Sequence, residues 1–130
     1  MPLNPSTPGI HHIGLRSLDF ARTKKFYEDI IGFKLVLETP GLMAFAVGAV
    51  IIVFKQAAPS HTGDKTFNPF NIGLDHIALT CETEQELERL AAELNSAGVE
   101  NTGVKTDPVL QKPYVAFKDP DRIQWEFYMK

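Results

Sequence analysis

Three residues of this chain could together do metal chemistry. His12 and His76 stand in two copies of one short pattern, Gly9-Ile10-His11-His12-Ile13-Gly14-Leu15 and Gly73-Leu74-Asp75-His76-Ile77-Ala78-Leu79. Both copies read Gly, aliphatic, X, His, Ile, small, Leu. The offset of 64 residues (76 − 12) is about half of the 130-residue chain, which points to a duplicated module, not a short-period array. The third residue is Glu126, in the apolar stretch 123–129, where a carboxylate is costly without a partner. Two imidazoles and one carboxylate make a 2-His-1-carboxylate set, which holds one divalent ion and leaves positions open for substrate or oxygen. The bland alternative is a polar cleft in which both histidines are satisfied by hydrogen bonds.

The elements that must position these residues can be read from local pattern. Residues 10–16 alternate as a strand, so Ile13 and Leu15 point one way while His12 and Arg16 point the other. Arg16 can therefore reach the same cavity as His12 and pair with an anionic substrate, or form a salt bridge at its rim. Asp19 caps a helix over 20–31, with Phe20, Phe26, Tyr27, Ile30 and Ile31 as its buried stripe and Gly32 as its stop. Strands follow at 33–38, 42–47 and 50–56, separated by Pro40-Gly41 and Gly48-Ala49. The second module repeats the order: strand 74–80, a helix opened by the capping box Thr83-x-x-Glu86 and closed by Gly98, then strands near 99–104, 114–118 and 123–129. Residues 57–72 contain two prolines, a glycine and small polar residues, and read as the connection between modules; Phe67 and Phe70 could make it a pocket cover. Residues 1–8 read as a flexible arm. His11 is expected at the helix layer or an edge, His61 in solvent, and Cys81 as a small core residue.

Composition narrows the classes further. A formal net charge of −3 leaves no basic footprint for nucleic acid. One cysteine excludes an intrachain disulfide and suits a reducing, cytoplasmic setting. The longest apolar run, 43–54, is interrupted by Gly48 and falls short of the roughly 18 residues of a membrane span. Residues 1–8 also lack the charged and apolar regions of a signal peptide.

Three separated stretches, HHIGLRSLDFARTKKFYEDIIGF, LDHIAL and AFKDPDRIQWEFY, resemble in order the vicinal oxygen chelate superfamily over about residues 9–128. That group includes glyoxalase I, extradiol dioxygenases, methylmalonyl-CoA epimerase, fosfomycin-resistance transferases and bleomycin-binding proteins. The resemblance implies an α+β fold of two βαβββ modules, 9–56 and 73–130, whose curved mixed sheets form a metal-binding cup. It places the ligands of one divalent ion (Fe2+, Mn2+, Zn2+ or Ni2+) on His12, His76 and Glu126. Many members take a fourth ligand from strand four of the first module. Laying Val50–Phe54 against Gln124–Tyr128 puts Ile52 opposite Glu126, and an isoleucine cannot bind a metal. Ile52, with Phe54 of the same parity, is then expected to line the substrate side of the cup. The three-ligand pattern is similar to that of extradiol dioxygenases and fosfomycin-resistance enzymes, and speaks against the glyoxalase and epimerase versions. Where the family's DPDG turn has glycine, this chain has Arg122. Tyr114 and Tyr128 become the candidate acid–base or hydrogen-bonding groups and Gln124 a group that orients substrate.

The resulting expectation is a metal-dependent, dioxygenase-like enzyme acting on a small substrate that chelates the ion through neighbouring oxygens. The alternatives are a non-catalytic small-molecule or antibiotic-binding resistance protein, and a glyoxalase-type lyase or isomerase. A homodimer is expected from the resemblance, with no nucleic-acid or membrane partner.

Overall fold

The computed structural model describes every residue except Thr62 and Asp64. These two fall within the expected connection 57–72 and lie outside the described residues. The chain divides into two compact units, Met1–His61 and Thr62–Lys130. Both have the order strand, helix, three strands.

In the first unit, β1 (His12–Ser17), β2 (Lys34–Thr39), β3 (Leu42–Val47) and β4 (Val50–Gln56) form one sheet in the order β1-β4-β3-β2. β1 runs parallel to β4, and the remaining neighbours are antiparallel. The parallel pair needs a crossover, which the helix provides. α1 (Phe20–Lys24) starts where the Asp19 carboxylate accepts from the Arg22 N–H at 3.2 Å. It continues as a π-helical stretch, Lys25–Ile31, that stops at Gly32 with φ +85°. The i→i+5 bonding widens the turn and shifts the phase of the buried face. Phe26 and Tyr27 stay buried, while Ile30, expected in the stripe, is exposed. Tyr27 is the hub of this unit: its ring lies 4.7–5.9 Å from those of Phe26, Phe33, Phe45 and Phe54. Burying each such side chain stabilises the fold by roughly 1.5–3 kcal/mol, so one aromatic cluster fixes helix against sheet.

In the second unit, β5 (Ile77–Cys81), β6 (Lys105–Thr106), β7 (Pro113–Lys118) and β8 (Gln124–Met129) take the matching order β5-β8-β7-β6, again with a parallel β5–β8 pair. α2 (Glu84–Ser96) begins where the Thr83 hydroxyl accepts from the Glu86 N–H at 3.1 Å. The expected capping box is half formed, because the Glu86 carboxylate turns instead to Arg89 at 2.6 and 2.7 Å. Leu87, Ala91 and Leu94 of α2 are buried, as are Val115, Phe117 and Trp125 of the sheet. The sixth strand lies at 105–106, not near 99–104. Asn101 explains the shift: its side chain bonds Asn95, the Val99 carbonyl and the Gly103 N–H, holding that stretch in a local turn with a single bridge to Phe117. In the turn before β8, the Asp119 carboxylate accepts from the N–H groups of Asp121 and Ile123, and Arg122 takes the left-handed φ of +65° that favours glycine. No helix among the described residues is long and apolar enough to cross a membrane.

Candidate metal centre

The candidate ligands sit at strand starts and on one strand face. His12 is the first residue of β1, and His76 immediately precedes β5. Both strands begin two residues or more after the sequence pattern suggests, yet the alternation holds: Ile77 and Cys81 are buried and Ala78 and Thr80 exposed. On β8, Trp125 is fully buried, while Gln124, Glu126 and Tyr128 occupy the opposite, half-buried face.

Within the second unit, His76 Nε2 lies 3.3 Å from Glu126 Oε1. The other ring nitrogen, Nδ1, lies 2.7 Å from Asp75 Oδ1. Burial is the main cause that pushes the Glu126 carboxyl above its usual range; His76 pulls the other way, and the charges of Asp107 and Asp75 push it up further. A carboxylate held among other carboxylates and half withdrawn from water is a site that a cation satisfies. The donor types suit such an ion, one imidazole nitrogen and one carboxylate oxygen. His76 Nε2 and Glu126 Oε1, 3.3 Å apart, are near enough for one ion to take both. His12 belongs to the first unit, where its Nδ1 lies 2.9 Å from Nδ1 of His11. Among the described residues no three His, Cys, Asp or Glu side chains are gathered closely enough to hold an ion.

Strand register corrects one expectation. β1 pairs with β4 through Ile13–Ile52 and Gly14–Val53, and β5 pairs with β8 through Ile77–Trp125 and Ala78–Glu126. With Ile13 matched to Ile77, the mate of Ile52 is therefore Trp125, and the mate of Glu126 is Val53. Ile52 is 1% exposed and Phe54 fully buried against Tyr27. Both residues, expected to line the cup, belong to the core, because β4 matches β8 one residue away from the expected register and period-2 alternation reverses every side chain. Val53 is apolar as well, so neither Ile52 nor Val53 could ligate an ion.

The remaining candidates find specific partners. Tyr114 and Tyr128 are paired across β7 and β8, with rings stacked at 6.1 Å and 16°. The Tyr128 hydroxyl donates to Asp107 Oδ2 at 2.8 Å. Its phenol is pushed up to about 12, by burial first and then by the hydrogen bond and charge of Asp107. Tyr128 is therefore a neutral phenol whose oxygen still accepts, a hydrogen-bonding group and not a base. Gln124 donates from Nε2 to the Asp75 carbonyl at 3.2 Å, tying the residue before β5 to the start of β8. Arg16 donates to the Gln56 carbonyl at 2.8 Å from the exposed face it shares with His12. His11, exposed and directly before the edge strand β1, lies against His12 with ring planes at 85°. Cys81 is buried, as expected. Two residues escaped the sequence reading. Asp75 had a signal, an acidic residue directly before the repeated histidine. Asp107 had a weaker one, an Asp-Pro turn in which its carboxylate accepts from the N–H groups of Val109 and Leu110.

Known proteins resemble this chain in sequence and fold. The family model for the glyoxalase/bleomycin resistance protein/dioxygenase superfamily matches residues 9–127. Uncharacterized protein YaeR of Escherichia coli K12 is 31% identical, over 92% of this chain and 94% of its own length. Metallothiol transferase FosB of Staphylococcus saprophyticus is 26% identical, over 92% of this chain and 75% of its own. Among solved structures, a glyoxalase/bleomycin resistance protein/dioxygenase domain from Frankia superposes with a TM-score of 0.79 at 24% identity, covering 95% of this chain and 98% of that one. Family match, paired βαβββ units and repeated histidine motif agree: the chain belongs to the glyoxalase/bleomycin resistance protein/dioxygenase superfamily.

Proposed function

We propose that the protein is a metal-dependent enzyme whose single divalent ion is held by His12, His76 and Glu126, and whose substrate is a small molecule that chelates the ion through neighbouring oxygens. The observation that carries this reading is the facing pair of the second unit, His76 Nε2 at 3.3 Å from a half-buried carboxylate whose surroundings disfavour its charge. When bound, the ion supplies Lewis acidity and, as iron(II), a site for dioxygen. The chain's own residues do the rest. In this reading Glu126 and the two histidines would hold the ion, and the rest of its coordination would be left to substrate. Tyr128, its proton directed to Asp107, presents an acceptor to a substrate hydroxyl, and the stacked Tyr114 ring gives a flat apolar surface beside it.

The three-ligand set favours dioxygenase-like chemistry on a vicinal diol. A second reading has specific support: the similarity to a metallothiol transferase points to transfer of a thiol to the chelated substrate. Protein purified without chelators is expected to hold one divalent ion per chain. Loaded with iron(II), it should consume dioxygen with catechols; loaded with manganese(II), it should join a thiol to fosfomycin if the second reading holds. A chain that binds no divalent ion at micromolar concentration contradicts both. A homodimer, about twice the 14.5 kDa chain mass by light scattering, is also expected.

A further inference from the structure

We propose that Asp75 is a positioning residue that holds His76 as the Nδ1–H tautomer and so presents an unprotonated Nε2 to Glu126. Asp75 Oδ1 lies 2.7 Å from His76 Nδ1, and an ionised carboxylate only accepts, so the proton between them sits on the imidazole. The neutral ring then carries its lone pair on Nε2, the nitrogen that faces Glu126 Oε1 at 3.3 Å. Two acceptors at that separation repel unless something positive lies between them. The arrangement thus selects for a cation, and a ligating histidine of this kind gains basicity from the carboxylate behind it.

Asp75 lies outside β5, and its side chain is 68% exposed, so a local device must keep it in place. Gln124 is that device. Its Nε2 donates to the Asp75 carbonyl at 3.2 Å, and Gln124 is the first residue of β8, two residues before Glu126. Backbone anchor and carboxylate ligand are therefore on the same strand. Movement of that strand carries both together, preserving the angle from which Asp75 meets the ring. Gln124 accordingly supports the site from behind, whereas the sequence suggested direct contact with substrate.

The tautomer claim does not depend on metal, although its purpose rests on the metal-centre reading. The test is the ring ¹⁵N spectrum of metal-free protein at mildly alkaline pH, recorded for the wild type, Asp75→Ala and Gln124→Ala. Expected are an Nδ1–H signature for His76 in the wild type and a shift toward the Nε2–H form, which a free histidine side chain prefers, in Asp75→Ala. Gln124→Ala should give a smaller shift in the same direction. Divalent-metal affinity, read by competition with a chelator, should fall about 10–100-fold in Asp75→Ala. Amide spectra of the variants establish that the fold is kept. An Nε2–H signature for His76 in the wild type, or an unchanged tautomer in a folded Asp75→Ala, overturns the proposal. A tautomer that shifts as expected in a protein that binds no metal supports the positioning role and sinks the metal-centre reading alone.

Discussion

The two repeated histidines differ in what stands behind them. In the second unit His76 is backed by Asp75, an acceptor that admits one tautomer. In the first unit His12 is backed by His11, Nδ1 to Nδ1 at 2.9 Å, and either ring can be the donor. Only the arrangement in which His12 donates leaves its Nε2 free to ligate. Duplication has thus kept the histidine and relaxed the residue before it. The same divergence runs through the strands: the register position that carries Glu126 on β8 carries Val53 on β4, while the neighbouring position is core in both units, as Trp125 and Ile52. Core positions stay apolar because the pleat buries them. Positions on the other face are free to become a carboxylate in one copy and an aliphatic side chain in the other.

The largest effect should come from the matched core pair. Trp125→Ala is expected to cost about 3–5 kcal/mol and Ile52→Val about 0.5–1.5 kcal/mol in urea denaturation. Equal, small effects would break the register equivalence between the units. Next comes the ligand pair. Removing His76 should weaken metal binding by more than about a hundredfold, since losing only an outer partner of a ligand already costs 10–100-fold; unchanged affinity in a folded His76→Ala protein would remove His76 from the site.

Val53 and Ile52 sharpen the comparison further. Val53→Glu adds a carboxylate at the mate of Glu126 and should tighten metal binding about tenfold. Ile52→Glu forces a charge into the aromatic core and should instead unfold the first unit. If the two variants behave alike, β4 is misassigned. A smaller effect is expected from His11→Asp, which gives the first unit the acceptor found in the second. It should drive His12 to the Nδ1–H form in ¹⁵N spectra and raise metal affinity by up to about tenfold.

The smallest effect concerns Asp107, in the turn between β6 and β7 of the second unit. The Val109 N–H, then the Tyr128 hydroxyl, hold its carboxyl below the usual range. A depressed carboxyl contributes stability that is present above its unfolded value, about 3.9, and is lost as pH falls through the lower folded value. The wild type should therefore exceed Asp107→Asn in thermal stability at neutral pH, and the gap should close in acid below about pH 4. A gap that widens in acid would reverse the assignment of donor and acceptor.

How much of this was legible beforehand follows from which interactions are local. Asp19 and Thr83 cap helices through N–H groups three residues away, so both helix starts could be read directly. The π-helical stretch could not, because its wider turn goes with Tyr27 packing onto Phe33, Phe45 and Phe54, outside the stretch itself. Nor could the sixth strand, which Asn101 displaces through side-chain bonds to its neighbours.

By itself the sequence determined the duplication, the two-histidine motif, the lone carboxylate of β8 and the order of elements, all of which rest on residue type and short-range period. Tertiary structure alone decided which residue of β4 matches Glu126, because a shift of one residue changes no local pattern but reverses every side chain. It also decided what stands behind each imidazole. Asp75 and Gln124 are 49 residues apart, and only the parallel pairing of β5 with β8 brings the amide of one to the carbonyl of the other.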